Sequence, residues 1–186
     1  MKATLTAEQS AFFTKNGFIE FEIAHDLPPF RPERDLWRSE PSLKQLLVRK
    51  LGPLALILSG KKQLCLACDQ WISKENRPRK GAPLKELFSI QGLAIAIALA
   101  QNTAAPLRKS PLGILPVPSA SGNILFFRPE LILDWPHVET DLYFAIYALP
   151  SAVYIYNPKD PATHFLKQLG YQFGDPLRSE FHPLIL

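Results

Sequence analysis

The stretch Gly122-Asn123-Ile124-Leu125-Phe126-Phe127-Arg128-Pro129 decides how the rest of the chain reads. Its four central residues are apolar, one of them β-branched and two aromatic, and a glycine and a proline bound the segment. A run so short and so rich in these side chains reads as a β-strand. The signature recurs in both directions, at Leu54–Leu58, Gln63–Ile72, Phe88–Leu99, Ile114–Val117, Leu142–Leu149 and Val153–Tyr156, with Gly, Pro, Ser and Asn between the runs. Helical spacing is poor across them, so the core reads as an antiparallel sandwich or barrel. Two segments leave a helix open: Leu54–Leu58 could extend the helix before it, and the alanines of Ala94–Ala100 suit either state.

Toward the amino end, Thr6-Ala7-Glu8-Gln9 fits a capping box, a helix follows through Phe12 and Phe13, and Asn16-Gly17 supplies its stop. Phe18-Ile19-Glu20-Phe21 then alternates like a strand. Residues 27–41 are rich in proline and charge and read as a surface loop with Trp37 tucked against the body. Ser42-Leu43-Lys44-Gln45 fits a second capping box, and Leu43, Leu46, Leu47 and Leu51 give the helix after it an apolar face, ended by Gly52-Pro53. Near the carboxyl end Asp160-Pro161 can start a final helix that Gly170 closes, and a partly apolar tail follows. Without an internal repeat, a low-complexity tract or a boundary, residues 1–186 read as one domain with helices at its amino end and a helix and tail at its carboxyl end.

Apolar residues make up 47% of the 186 and charged residues 20%, as expected of a soluble folded protein. The polar start offers no signal-peptide stretch, and Leu93–Ala100, the longest apolar run, is too short to cross a bilayer. A cytoplasmic protein without membrane contact is expected. Two cysteines, Cys65 and Cys68, are too few for a disulfide framework and read as buried thiols. Strand alternation would send them to opposite faces. The net charge of +4 is local: residues 51–110 carry nine Lys/Arg against three Asp/Glu, and residues 111–186 carry four against seven. Lys61-Lys62, Arg77-Pro78-Arg79-Lys80 and Arg108-Lys109 could meet phosphates or an acidic partner, or lie on solvated loops.

Three segments, taken in order, resemble phytanoyl-CoA dioxygenase-like proteins of the non-haem Fe(II)/2-oxoglutarate oxygenase superfamily. Leu5 through Ile19 is similar to that family's opening helix and strand. Leu115-Pro116-Val117-Pro118-Ser119, followed by Gly122 through Pro129, is similar to its Pro-Gly-Ser-His turn and Gly-Asp strand entry. Asp141–Leu149 is similar to the strand that bears its cosubstrate arginine. The resemblance implies an α+β, mainly β fold: a double-stranded β-helix, the jelly roll of cupins, flanked by helices. It also implies a His-x-Asp pair and a distal His around iron. Here the region between Leu66 and Gln91 contains no histidine, Leu133 or Asp134 stands where the distal His belongs, and Asp141–Leu149 contains no Arg or Lys. The expectation is therefore a domain without catalytic, metal or cofactor residues, binding a small molecule or a protein.

If a pocket survives, Asp69 and Trp71 are expected on its wall, on one strand face with Cys65 and Ala67, together with Gln91 and Arg128. An alternative keeps iron chemistry through His137 and Glu139, whose spacing suits one strand face, with His164 or His182 completing the set. A second alternative is nucleic-acid binding by the basic segment 61–85, although aromatic interleaving and a helix-turn-helix pattern are missing. Cys65-x-x-Cys68 lacks the context of a redox or zinc site. Ser59-Gly60-Lys61-Lys62 lacks the companions of an acyl-transfer motif, and no Gly-x-Ser-x-Gly, phosphate loop or His-Glu-x-x-His occurs.

Overall fold

A computed structural model describes residues 5–22, 33–100, 118, 122–138 and 140–186. The run Ile114–Val117, the cluster Arg108-Lys109, nearly all of the Leu115–Ser119 turn and Glu139 lie outside these residues. Helix α1 (Ala7–Asn16) opens on the predicted capping box, with the Gln9 amide N–H donating to Thr6 Oγ1 (3.1 Å) and the Thr6 amide donating to Gln9 Oε1 (2.9 Å). Gly17, left-handed at φ 78°, ends it and turns the chain into strand β1 (Phe18–Glu22).

The second helical region differs from its expectation at both ends. It begins at Pro41, whose fixed φ suits a first helical position, and no side chain caps it, so the expected Ser42 box does not form. Helix α2 (Pro41–Gln45) widens into a π-helical segment, Leu46–Leu51, and resumes as α3 (Gly52–Ser59). Gly52-Pro53 is therefore no stop: Pro53 falls in the first turn of α3, where a missing N–H costs nothing. Gly52 answers a packing constraint instead, since a Cβ there would come within 3.0 Å of Ile185. Leu54–Leu58, grouped with the strand runs, is helical.

The other runs within the described residues are strands, joined by three short strands that no run announced: β2 (Leu64–Ile72), β3 (Ala82–Pro83), β4 (Ile90–Ala100), β5 (Asn123–Phe127), β6 (Ile132–Leu133), β7 (Leu142–Tyr154) and β8 (Leu184–Ile185). Six of them pair antiparallel in the order β1-β5-β4-β7-β2-β8, and β3 pairs with β6. The larger sheet curls into a half-barrel with helices beside it, a mixed α+β, mainly β fold of the jelly-roll kind. The expected final helix is shorter than its sequence limits, consisting of turns and a 3₁₀ segment at Phe165–Leu169. Asp160, its expected cap, also binds groups distant in sequence, as described below.

Both sheet faces are buried, which explains why the strands read as continuous apolar runs. Toward α1–α3 point Ile95, Ile97 and Leu99 of β4, Ile124 and Phe126 of β5, and Tyr143, Ala145 and Tyr147 of β7. Toward the concave side point Ala96, Ala98 and Ala100, Leu125 and Phe127, and Phe144, Ile146 and Ala148, meeting Leu84, Leu133 and Trp135. The alanines that left β4 ambiguous sit opposite the bulky rings, Ala96 facing Phe127 and Ala98 facing Phe144. Small side chains against large ones let this layer pack closely. Ala98→Leu should therefore destabilise the protein by about 1–3 kcal/mol in chemical denaturation. Adding Phe144→Leu should recover part of that loss, and strictly additive effects would show that the alanine makes no room for the ring.

Candidate functional site

Strand β2 carries most of the residues singled out by the sequence, and a bulge between Leu66 and Cys68 changes their faces. Cys65, Ala67 and Cys68 all reach the concave cluster, so the two thiols share a face instead of opposing one another. Both are free, and burial raises their pKa values, Cys65 to about 11. Asp69 and Trp71 do share a face, as expected, but the bulge puts them on the helix side, away from Cys65 and Ala67.

Asp69 is fully buried and its acceptor capacity is spent on structure. Oδ1 accepts the Leu36 amide (2.7 Å), and Oδ2 accepts the Trp37 amide (2.8 Å) and the Tyr143 hydroxyl (2.6 Å). The backbone alongside is tied as well, with Asp35 N–H donating to Asp69 O (3.0 Å) and Asp69 N–H to Asp35 Oδ1 (3.2 Å). This carboxyl pins residues 33–38 along the outer edge of β2. Arg34 consequently reaches across to Asp160, which it grips with Nη1 at 2.9 and 3.0 Å while lying 5.1 Å from the Phe88 ring. Asp160 also accepts the Ser89 amide (2.8 Å) and the Ala162 amide (2.9 Å).

Between these elements lies a cavity of about 820 Å³. The end of β2, Gln70-Trp71-Ile72, borders it on one side, and half-buried Leu87 adds apolar surface. The loop bearing Arg77, Arg79 and Lys80 forms a second wall, and residues 159–162 form a third. Two of its charges are matched internally, Arg34 with Asp160 and Lys159 with Glu86 (2.9 Å). Arg77 Nη1 is buried without a hydrogen-bond acceptor.

Of the four expected wall residues the structure brings only Trp71 to this cavity. Asp69 is buried beneath it, and Gln91 is exposed where β4 begins, opposite Val153. Arg128 lies by α1, donating to Thr14 O (3.3 Å) with its guanidinium 5.7 Å from Phe13. Arg34, the residues at 159–162 and the Leu87-Phe88 pair carried no sequence signal, because they converge from segments far apart. Arg77-Pro78-Arg79-Lys80 did stand out as a basic cluster, but not as a neighbour of Trp71.

The described histidines lie in separate surroundings. His137 Nδ1 is 2.9 Å from buried Asp134 while its ring is more than half exposed. His164 meets the rings of Tyr156 and Phe173 at 6.2 and 5.8 Å. His182 is buried with Nδ1 3.2 Å from Leu66 O, so that nitrogen carries the proton, and burial followed by the nearby Arg38 lowers its pKa. Leu133 is buried in the concave core, and β7 turns Tyr143 and Tyr147 toward the helices. Among the described residues no group of three or more His, Cys, Asp or Glu side chains comes together in a way that could hold a metal ion.

The sequence matches no protein-family profile and no curated protein. Among solved structures the fold is similar to the non-haem α-ketoglutarate-dependent carbocyclase SnoK from nogalamycin biosynthesis, with a TM-score of 0.66 and 14% identity over 98% of this chain and 97% of that one. It is similar to the non-haem α-ketoglutarate-dependent epimerase SnoN, also from nogalamycin biosynthesis, with a TM-score of 0.61 and 14% identity over 95% and 97%. It also matches CT296 from Chlamydia trachomatis, with a TM-score of 0.51 and 18% identity over 80% and 97%. The chain has the fold of the iron- and 2-oxoglutarate-dependent oxygenases. Within that fold no helix among the described residues is long and apolar enough to cross a membrane.

Burial raises the pKa of Asp69 from 3.8 to about 7, outweighing the opposing hydrogen bonds from Tyr143, Trp37 and Leu36. Between those values the folded chain holds a proton that the unfolded chain has released. This group's contribution to stability is therefore full below pH 4 and declines as pH rises through 7. Against an Asp69→Asn variant, wild-type stability should fall by up to about 1.4 kcal/mol per pH unit over this range. A difference in urea midpoints that does not vary with pH would show that the carboxyl titrates normally.

Proposed function

We propose that this chain is a single non-catalytic domain built on the oxygenase fold, and that the 820 Å³ cavity at the end of β2 is its small-molecule site, with Trp71 on the wall. The cavity carries this reading. Its volume lies within the range of about 300–1,000 Å³ found for small-molecule pockets, and its lining joins apolar side chains to charged groups. A fold shared with enzymes does not supply their chemistry. The donor set among the described residues does not fit an iron centre: each described histidine is engaged elsewhere, and the concave side of the sheet is filled by Phe127, Trp135 and Phe144. No reaction step is assigned to a metal or cosubstrate.

The basic residues at 77–80 border a partly apolar cavity, which favours a small ligand over the phosphate backbone of a nucleic acid. Retained iron chemistry through His137 and Glu139 has less support, because the described partner of His137 is Asp134.

Untagged protein should carry no stoichiometric iron and should form no succinate above background from 2-oxoglutarate and Fe(II). Stoichiometric iron that disappears on His137→Ala would sink the proposal. In a thermal-shift screen of small molecules, hits that stabilise wild type should lose their effect when Ala162→Trp fills the cavity.

A further inference from the structure

We infer that the ligand of this cavity is a small organic anion with an apolar body, its carboxylate or phosphate held by Arg77, Arg79 and Lys80. The inference rests on the preceding reading that the cavity is a ligand site. Among the described residues, five cationic side chains border the cavity against two carboxylates, Glu86 and Asp160. Both carboxylates are already engaged, by Lys159 and by Arg34. The surplus therefore falls on one wall, where Arg77, Arg79 and Lys80 follow each other on a short loop. Among the described residues no carboxylate lies at ion-pair distance from these three. Fully exposed Glu75 senses Arg77 only at longer range, together with Lys74.

The loop is held rather than free. Lys74 N–H donates to Asp141 Oδ1 (2.8 Å) at the start of β7, Asn76 N–H donates to Ser73 O (3.1 Å), and Pro78 fixes the backbone between the arginines. Arg77 Nη1 is buried without an acceptor, which is costly for a guanidinium nitrogen. An anion entering the cavity supplies that acceptor after a small rotation of the side chain, and a guanidinium can take a carboxylate or phosphate through two parallel hydrogen bonds.

Besides the cations, the half-buried side chains of Ile72 and Leu87 lend the cavity apolar surface. Burying a hydrocarbon there removes area from water without demanding polar partners. Cations and apolar side chains around one cavity select for a molecule that carries both an acidic group and an apolar body. A sugar would leave the apolar side chains poorly matched, and a neutral hydrocarbon would leave Arg77 Nη1 without an acceptor.

The test uses three probes on the full chain by calorimetry: 1-naphthyl phosphate, 1-naphthoate and uncharged 1-naphthol. Charge-assisted hydrogen bonds predict that at least one anion binds roughly tenfold more tightly than the naphthol, and the tighter anion distinguishes a phosphate from a carboxylate ligand. Replacing Arg77, Arg79 and Lys80 together by Gln should abolish this preference while leaving naphthol binding intact, which also reports that the cavity is folded. Replacing exposed Arg49, Lys61 and Lys62 by Gln removes the same charge elsewhere and should leave the preference unchanged. If the triple cavity variant does not fold, Arg77→Gln alone should still weaken the anion selectively. Equal binding of naphthol and the anions overturns the inference and leaves the cavity reading standing, and equal loss in the surface variant also overturns it. Failure of all three probes overturns both.

Discussion

The buried carboxyl of Asp69 is the constraint on which the exposed edge of this sheet depends. Accepting from two successive backbone amides and one tyrosine hydroxyl, it does for residues 33–38 what a neighbouring strand would do with a ladder of hydrogen bonds. Asp35 accepts the left-handed conformation this demands (φ 56°) and returns a bond to the Asp69 amide. Further along the same edge, Pro183 O accepts the Leu66 N–H, and the His182 ring satisfies the Leu66 carbonyl beside the bulge. Beyond β8, which pairs with Leu64 and Cys65, the edge of β2 is thus covered by side chains and irregular backbone, which protects it from pairing with another chain.

That arrangement reaches the cavity through Arg34. Held in place by the segment Asp69 anchors, Arg34 spans to Asp160, and Asp160 in turn gathers the amides of Ser89 and Ala162. Two sides of the cavity are therefore joined by an almost fully buried bidentate pair. Removing either partner would leave an uncompensated charge in a poorly solvated place, so the wall and its charge pairing stand or fall together.

Much of the fold was legible because the local signals agreed with the tertiary outcome. The Thr6 box, the Gly17 stop and the runs that became β1, β2, β4, β5 and β7 each had one physical reading. Gly52-Pro53 misled because a π-helical widening moved the proline into a first turn, something no local pattern announces. Alternation on β2 misled for a related reason: one extra residue in a bulge reverses every face beyond it, and bulges leave no dependable mark in sequence. The site was legible only in pieces. Trp71 was singled out as a possible pocket wall and the basic cluster as a possible anion contact, six residues away from it. What joins them is the return of the chain after Ile72, and their partners Arg34, Phe88 and Asp160 come from three other parts of the chain.

The distribution of side-chain size across the sheet bears on where a ligand can sit. On the concave side, Ala96 and Ala98 make room for Phe127 and Phe144 rather than for a guest, and Trp135 packs against Phe144 with centroids 5.6 Å apart while its Nε1–H donates to Ala82 O (2.9 Å). With that side filled, the 820 Å³ cavity lies at the end of β2, where the 73–82 loop folds back. At the rim the walls are half solvated, so cations there keep their charge at modest cost while apolar side chains such as Ile72 and Leu87 still exclude water. A curled sheet packed on its concave side by Phe127, Trp135 and Phe144 thus confines the proposed anion site to the end of β2, beside the basic residues 77–80.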